Sequence, residues 1–114
     1  MMGVTMITTR LQALEIASQA RRSLNEIYGV RLRGVYLYGS AARDQLTADS
    51  DIDIAVILDE IQDRFAEHEQ TSQLASDLSL EHNTVVTFLF VTERDFTEGS
   101  FLVYRMVRRE GISA

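Results

Sequence analysis

The residues best suited to chemistry stand in two short motifs, Gly39-Ser40 and Asp51-Ile52-Asp53, with ten residues between them. Glycine lets a backbone approach a ligand closely. A serine at the start of a helical turn offers a hydroxyl and free backbone N–H groups, which together suit an anion such as a phosphate. Asp51 and Asp53 are two apart, so in a strand both carboxylates project from one face while Ile52 and Ile54 face the core. Paired carboxylates repel each other unless a cation neutralises them or one takes a proton. Hard oxygen ligands favour Mg2+ or Mn2+, with substrate phosphates completing the coordination. A phosphate cradle beside a dicarboxylate metal site is the equipment of phosphoryl or nucleotidyl transfer. Either motif alone is ordinary, since Gly-Ser is usually a turn and Asp-x-Asp a solvated strand end. At roughly 5–7% usage per residue type, chance places all four at this spacing in about one chain in a thousand of this length.

Strands must hold these motifs. Gly34 to Gly39 is short, β-branched and aromatic, and reads as a first strand; Ile52 to Leu58 is a near-continuous apolar run and reads as a buried second strand. Ser40 to Asp44 between them reads as a short helical turn capped by Ser40. Upstream, Thr8-Thr9 with Gln12 predicts a capping box. Leu11, Leu14, Ala17, Ala20, Leu24 and Ile27 then recur on one helical face, with Gln12, Glu15, Ser18, Arg22 and Asn25 opposite and Gly29 as the stop. Downstream, Ile61, Phe65, Ser72, Ala75 and Leu78 mark a weaker amphipathic helix ending near Glu81-His82-Asn83, and Thr84 to Val91 is a third strand. Thr92 with Asp95 caps a brief turn, and Ser100 caps a last helix that runs to Arg109 and stops at Gly111. This alternation predicts one α/β (α+β) domain over residues 1–114 with a small sheet, and leaves the strand directions open.

Composition removes several mechanisms. All 11 basic residues are arginine, and there is no cysteine. A Walker A lysine, Schiff-base chemistry, a thiolate nucleophile and a zinc ribbon are therefore excluded, and any metal falls to oxygen ligands or to His68 and His82. The histidines are 14 apart with no acidic partner at ligand spacing and read as surface or helix-end residues. No apolar run reaches the ~20 residues of a membrane span. Met1 to Met6 lack the basic flank and apolar core of a secretory signal, and the missing cysteines suit a reducing cytoplasm, so a cytoplasmic location is expected. The net charge of −6 argues against a nucleic-acid backbone as main partner and suits a basic protein or a nucleotide bridged by cations. Tyr36 and Tyr38 share a strand face and read as core. Arg105, Arg108 and Arg109 share a face of the last helix, where Phe101, Leu102 and Met106 read as core or a dimer surface.

Gly39-Ser40-Ala41-Ala42-Arg43, followed by Ser50-Asp51-Ile52-Asp53-Ile54-Ala55-Val56, resembles the signature of the polymerase-β-type nucleotidyltransferase superfamily. Chain length and the tail Phe101 to Gly111 resemble, more narrowly, the minimal nucleotidyltransferase (MNT) domains paired with HEPN proteins in prokaryotic toxin–antitoxin modules. The resemblance implies a small mixed β-sheet flanked by helices, with the helices on one face, Mg2+ as cofactor and ATP as donor. It further implies an antitoxin that transfers AMP to a tyrosine of a HEPN toxin, an RNase, and so silences it. Carried over by position, Gly39 and Ser40 hold the nucleotide phosphates, Arg43 contacts a phosphate, Ser50 gives local support, and Asp51 and Asp53 bind metal and carry catalysis. Two departures stand out. The family often has Gly after the motif arginine, where this chain has Asp44. Active members carry a third carboxylate on a later strand, but the third strand here holds no acid, and Thr87 stands where that acid is expected. Glu81 and Glu93 flank that strand too far along it. Two alternatives follow: a catalytically degenerate antitoxin that neutralises its toxin by binding, and a small-molecule nucleotidyltransferase, for whose usual acceptor domain this chain has no room.

Overall fold

The first helix, α1 (Arg10–Tyr28), starts where its cap is written. Thr9 Oγ1 accepts from Gln12 N at 3.2 Å, and Gln12 Oε1 accepts from Thr9 N at 3.2 Å, so two otherwise unpaired amides are satisfied reciprocally. Its buried stripe is Ala13, Ile16, Ala17, Ala20, Leu24 and Tyr28. Leu11, expected on that stripe, is exposed. The structure, a computed structural model, describes residues 7–99 and 101–114. Met1 to Met6 and the cap expected of Ser100 therefore lie outside the described residues.

A 3-10 turn (Gly29–Arg31) leads into β1 (Leu32–Tyr38). Then come β2 (Ile52–Leu58), α2 (Arg64–His82), β3 (Val86–Thr92), α3 (Glu93–Glu98), α4 (Leu102–Glu110) and β4 (Ile112–Ser113). The sheet order is β3-β2-β1-β4. β1 runs antiparallel to β2 and to β4, while β2 and β3 are parallel, the crossover being made by α2. The sheet is thus mixed and the fold α+β, as expected. The two-residue β4 was not foreseen; it extends the sheet past β1 by pairing Leu37 with Ile112. Segment 40–44 is a turn, as expected, with Arg43 N donating to Gly39 O, and Asp44 at φ +58° ends its winding.

α1 and α2 cover one face of the sheet, around Val35, Leu37, Ile54, Val56, Phe88 and Phe90. The other face is not bare, as a one-faced arrangement would leave it. Tyr104 and Val107 of α4 and Phe96 of α3 pack there on Ala55, Ile57, Val91, Tyr36 and Tyr38. Burial on both faces explains why β2 reads as a continuous apolar run. At roughly 25 cal/mol per Å2 of apolar surface, this doubly covered strand is a main source of hydrophobic stabilisation. The cover over the second face thins out towards the start of β2, where Asp51 is exposed and Asp53 half-buried. Among the expected core residues, Phe65, Phe101 and Leu102 are exposed, whereas Met106 is half-buried. Among the described residues no helix is long and apolar enough to cross a membrane.

Candidate active site

One row of the sheet carries the site. Tyr38 pairs with Asp53 across β1 and β2, and Asp53 pairs with Thr87 across β2 and β3, so the three side chains share a face. Thr87 Oγ1 donates to Asp53 Oδ1 at 3.0 Å. Gly39 closes the row from above with φ +73°, and a Cβ there would lie 2.5 Å from Asp53 Oδ2. Glycine at this position is therefore dictated by the Asp53 carboxylate itself, in addition to any ligand. No spacing rule in the sequence carried that reason.

Burial pushes the Asp53 carboxyl above its ordinary range, the Thr87 hydrogen bond opposes this, the Asp51 charge adds to it and the Arg43 charge lowers it. Beside it the Tyr38 phenol is pushed up to about 12, first by burial and then by the Asp53 charge. Asp51 stands one residue before β2 and exposed, so the pair is asymmetric, one carboxylate wet and one half-buried. Ser50 sits in the turn that delivers it: Ser50 N donates to Thr47 O at 3.1 Å, and Ser50 Oγ accepts from Thr47 N at 3.1 Å.

Ser40 lies in a turn whose three hydrogen bonds are donated by Arg43 to Gly39 O, Asp44 to Ala41 O and Gln45 to Ser40 O, at 3.2, 3.2 and 2.8 Å. Ahead of those donors Ser40 is partly exposed, whereas Ala41 and Ala42 are buried, so it is the Ser40 amide and hydroxyl that can face an anion. The turn is tethered by Arg10 Nη1, which donates to Ala42 O at 3.4 Å, and by Arg43, whose Nη1 lies 3.3 Å from Glu110 Oε2 at the end of α4. Arg43 and Glu110 are both solvent-accessible, so the pair orients Arg43 without holding it strongly. Asp44, where the motif family often has glycine, takes the left-handed conformation that glycine would adopt without strain.

The donor set suits a divalent cation. Two hard carboxylates meet at one end of β2, and the mutual repulsion and burial that lift Asp53 are the terms a cation would relieve. Among the described residues no group of three or more acidic or histidine side chains is gathered, so the protein itself supplies two acids and no third. His68 packs edge-on against Phe90 at 4.9 Å, and His82 bonds Gln19 at 2.9 Å; neither joins the site. A cavity of about 390 Å3 lies between α2 and β3, on the face of the sheet opposite the Asp53 and Thr87 side chains. Another, of about 350 Å3, lies away from it beside Arg31 and Glu67.

The family profile described as polymerase beta, nucleotidyltransferase matches residues 24–100, a span that contains both motifs. No curated protein matches the sequence. Among solved structures, a Sulfolobus solfataricus protein assigned as a nucleotidyltransferase superposes with a TM-score of 0.65 at 18% identity, over 91% of this chain and 80% of that one. A chain from a toxin–antitoxin crystal structure with AMP-PNP gives 0.60 at 25% identity, over 83% and 69%. A chain from the complex of a tri-AMPylated Shewanella oneidensis HEPN toxin with an MNT antitoxin gives 0.58 at 20% identity, over 89% and 70%.

Proposed function

The chain belongs to the polymerase β nucleotidyltransferase family, and from that premise we propose that it is the antitoxin of a HEPN/MNT pair, a Mg2+-dependent enzyme that moves AMP from ATP to a tyrosine of its HEPN toxin. The observation that carries the reading is the packing of Gly39 onto Asp53, with Asp51 beside it and the partly exposed Ser40 next in the chain. The likeness to a toxin–antitoxin structure holding AMP-PNP supports ATP as donor. The reading implies a cytoplasmic protein that meets a protein partner, in keeping with the net charge of −6.

In the transfer, the phenol oxygen bonds to the α-phosphorus, the bond from that phosphorus to the β-phosphate's bridging oxygen breaks, and pyrophosphate leaves. The Ser40 amide and hydroxyl bind phosphate oxygens, and Arg43 adds positive charge. Asp51 and Asp53 would hold the metal, which when bound neutralises the pair and polarises the phosphate. Thr87 fixes the Asp53 carboxylate through its 3.0 Å hydrogen bond. No side chain of β3 takes the phenol proton, which passes to solvent.

Thr87 also favours a second reading. With a hydroxyl in place of the third acid, the protein would neutralise its toxin by binding alone. The two separate in one experiment: labelled ATP, Mg2+ and the HEPN toxin that this reading assigns as partner are incubated with wild type or Asp51→Asn. Transfer of label to a toxin tyrosine, lost in the variant, is the expected result. If no label is transferred and Asp51→Asn silences the toxin as well as wild type does, binding is the function.

A further inference from the structure

Helix α4 has two unlike sides. Tyr104 and Val107 pack down on the sheet. Phe101, Leu102, Arg105, Arg108 and Arg109 are exposed, at spacings that gather them on the outer side. Phe101 is 62% and Leu102 67% exposed. Helix electrostatics account for part of this pattern. Arg108 and Arg109 stand in the last turn, where cations complement the helix dipole. Arg108 also donates to Thr97 O. Arg105 stands mid-helix, and neither it nor Arg109 has an acidic partner among the described residues. The nearby acids are taken by other arginines: Glu110 by Arg43 at 3.3 Å, Glu98 by Arg94 at 3.2 Å and Glu93 by Arg33 at 3.9 Å. On a chain of net charge −6, this face is therefore locally basic and apolar at once. Exposed aromatic, aliphatic and arginine side chains in one patch have the composition of a protein interface's centre. A nucleic-acid backbone fits less well, because its affinity comes from many phosphate contacts and the rest of this chain repels them.

We infer that the outer side of α4 is the docking surface for the toxin, met by an acidic patch of that protein with an apolar pocket at its centre. Leu102 and Phe101 fill the pocket, and the toxin's carboxylates supply the counter-charges that Arg105 and Arg109 lack. The inference rests on the antitoxin reading for the identity of the partner. The chemistry asked of the partner comes from α4 alone. Position supports it independently. α4 covers the face of the sheet that bears Ala55 and Ile57, which by strand alternation is also the face of Asp53 and Thr87. Its last residue, Glu110, reaches the phosphate turn through Arg43. A protein seated on α4 thus stands on the side of the sheet from which the carboxylates are reached, about one helix diameter, 10–12 Å, above it.

The test measures binding of the intact protein to the HEPN toxin by calorimetry, at low and at high salt, alongside label transfer from ATP. Arg105→Glu reverses the mid-helix charge, and Leu102→Ser removes the apolar contact. Both positions are exposed, and urea denaturation checks that each variant folds as wild type does. Each variant should weaken toxin binding about tenfold, and the two together about a hundredfold. ATP binding by the free protein should not change. Wild-type affinity should fall with salt more steeply than that of Arg105→Glu. Unchanged toxin affinity in both variants overturns the docking surface, and label still passing to the toxin then leaves the transferase reading standing. Weakened binding in the variants, with no label transferred by wild type, supports the docking surface and removes the transferase reading. No complex between wild type and toxin overturns the proposal together with the antitoxin reading. A dimer of the free protein that Leu102→Ser dissociates, seen by sedimentation, means that a second copy occupies the face, and overturns the proposal. So does binding of a single-stranded RNA oligonucleotide that Arg105→Glu abolishes.

Discussion

Replacing Gly39 by alanine tests the central packing claim of the site. The residue sits at φ +73°, where a side chain adds strain of about 1–3 kcal/mol. The new Cβ would also stand 2.5 Å from Asp53 Oδ2, inside any tolerated contact, so the carboxylate must turn away. Turning it breaks the Thr87 hydrogen bond, a loss of about 1.5–3 kcal/mol for a charged acceptor. Reduced entropy of the unfolded chain returns about 0.4–1 kcal/mol. The net loss is about 2–4 kcal/mol, or on the order of 10 °C in Tm for a domain of this size. Strain and clash separate in a double-mutant cycle. Asp53→Ala keeps only a Cβ, which lies 3.5 Å from the added methyl, an ordinary contact. In that background Gly39→Ala should cost the strain alone, giving a coupling of about 1.5–3 kcal/mol by urea denaturation in EDTA at neutral pH. Equal costs in the two backgrounds, within about 0.5 kcal/mol, would refute the claim that Asp53 dictates the glycine.

Because folding raises the Asp53 carboxyl above its unfolded value, its ionised form opposes folding above that range. Asp53→Asn should therefore be more stable than wild type in EDTA at pH 7, with the gap closing as pH falls through the carboxylate range; a less stable variant at pH 7 contradicts this. Mg2+ should stabilise wild type and leave Asp53→Asn unmoved in a thermal melt. Thr87→Val removes a hydrogen-bond donor to a charged acceptor and should cost about 1.5–3 kcal/mol in chemical denaturation at neutral pH. Thr87→Asp should lower stability in EDTA, steepen the stabilisation by Mg2+ and raise the rate of label transfer; an unchanged rate rules out the third acid as the limiting element. Arg31→Ala strips the buried Glu67 of its cationic partner at 3.0 Å, leaving the Tyr28 hydroxyl, and should cost about 2–3 kcal/mol by urea denaturation, with transfer activity per folded molecule unaltered.

The parts legible in the sequence are those with local causes. The capping box at Thr9 and Gln12 is a local hydrogen-bond pattern, and it marks the start of α1. β2 begins and ends where its apolar run does. That same run also signalled cover on both faces, which the one-faced expectation overlooked. Less legible were features set by distant partners. Ile112 and Ser113 form a strand only because β1 offers an edge. Leu11 and Phe65 fit the helical stripes by spacing yet are exposed, since spacing does not say which turns of a helix find a partner. The end of the turn at 40–44 is set by one left-handed residue, Asp44, whose type merely permits that conformation. At the site, the residue types and their spacing were visible, and so was the lack of an acid at Thr87. Tyr38 as the wall of Asp53 and Glu110 as the partner of Arg43 depend on strand register and on where α4 ends.

The two halves of the site hang from very different parts of the molecule. Asp53 belongs to β2, paired on both sides and covered on both faces, and Asp51 is joined directly to its start, so this end is lost only when the whole domain opens. The phosphate turn sinks Ala41 into the core, but its rim is tethered by Arg10 and Arg43, two side-chain contacts that local opening can release. Cation affinity is thereby tied to global stability, and every kcal/mol gained on binding protects the entire fold from unfolding and proteolysis. Grip on the nucleotide can drift through changes at the surface without disturbing the metal end. A protein built this way can retune what it holds while keeping where the chemistry happens.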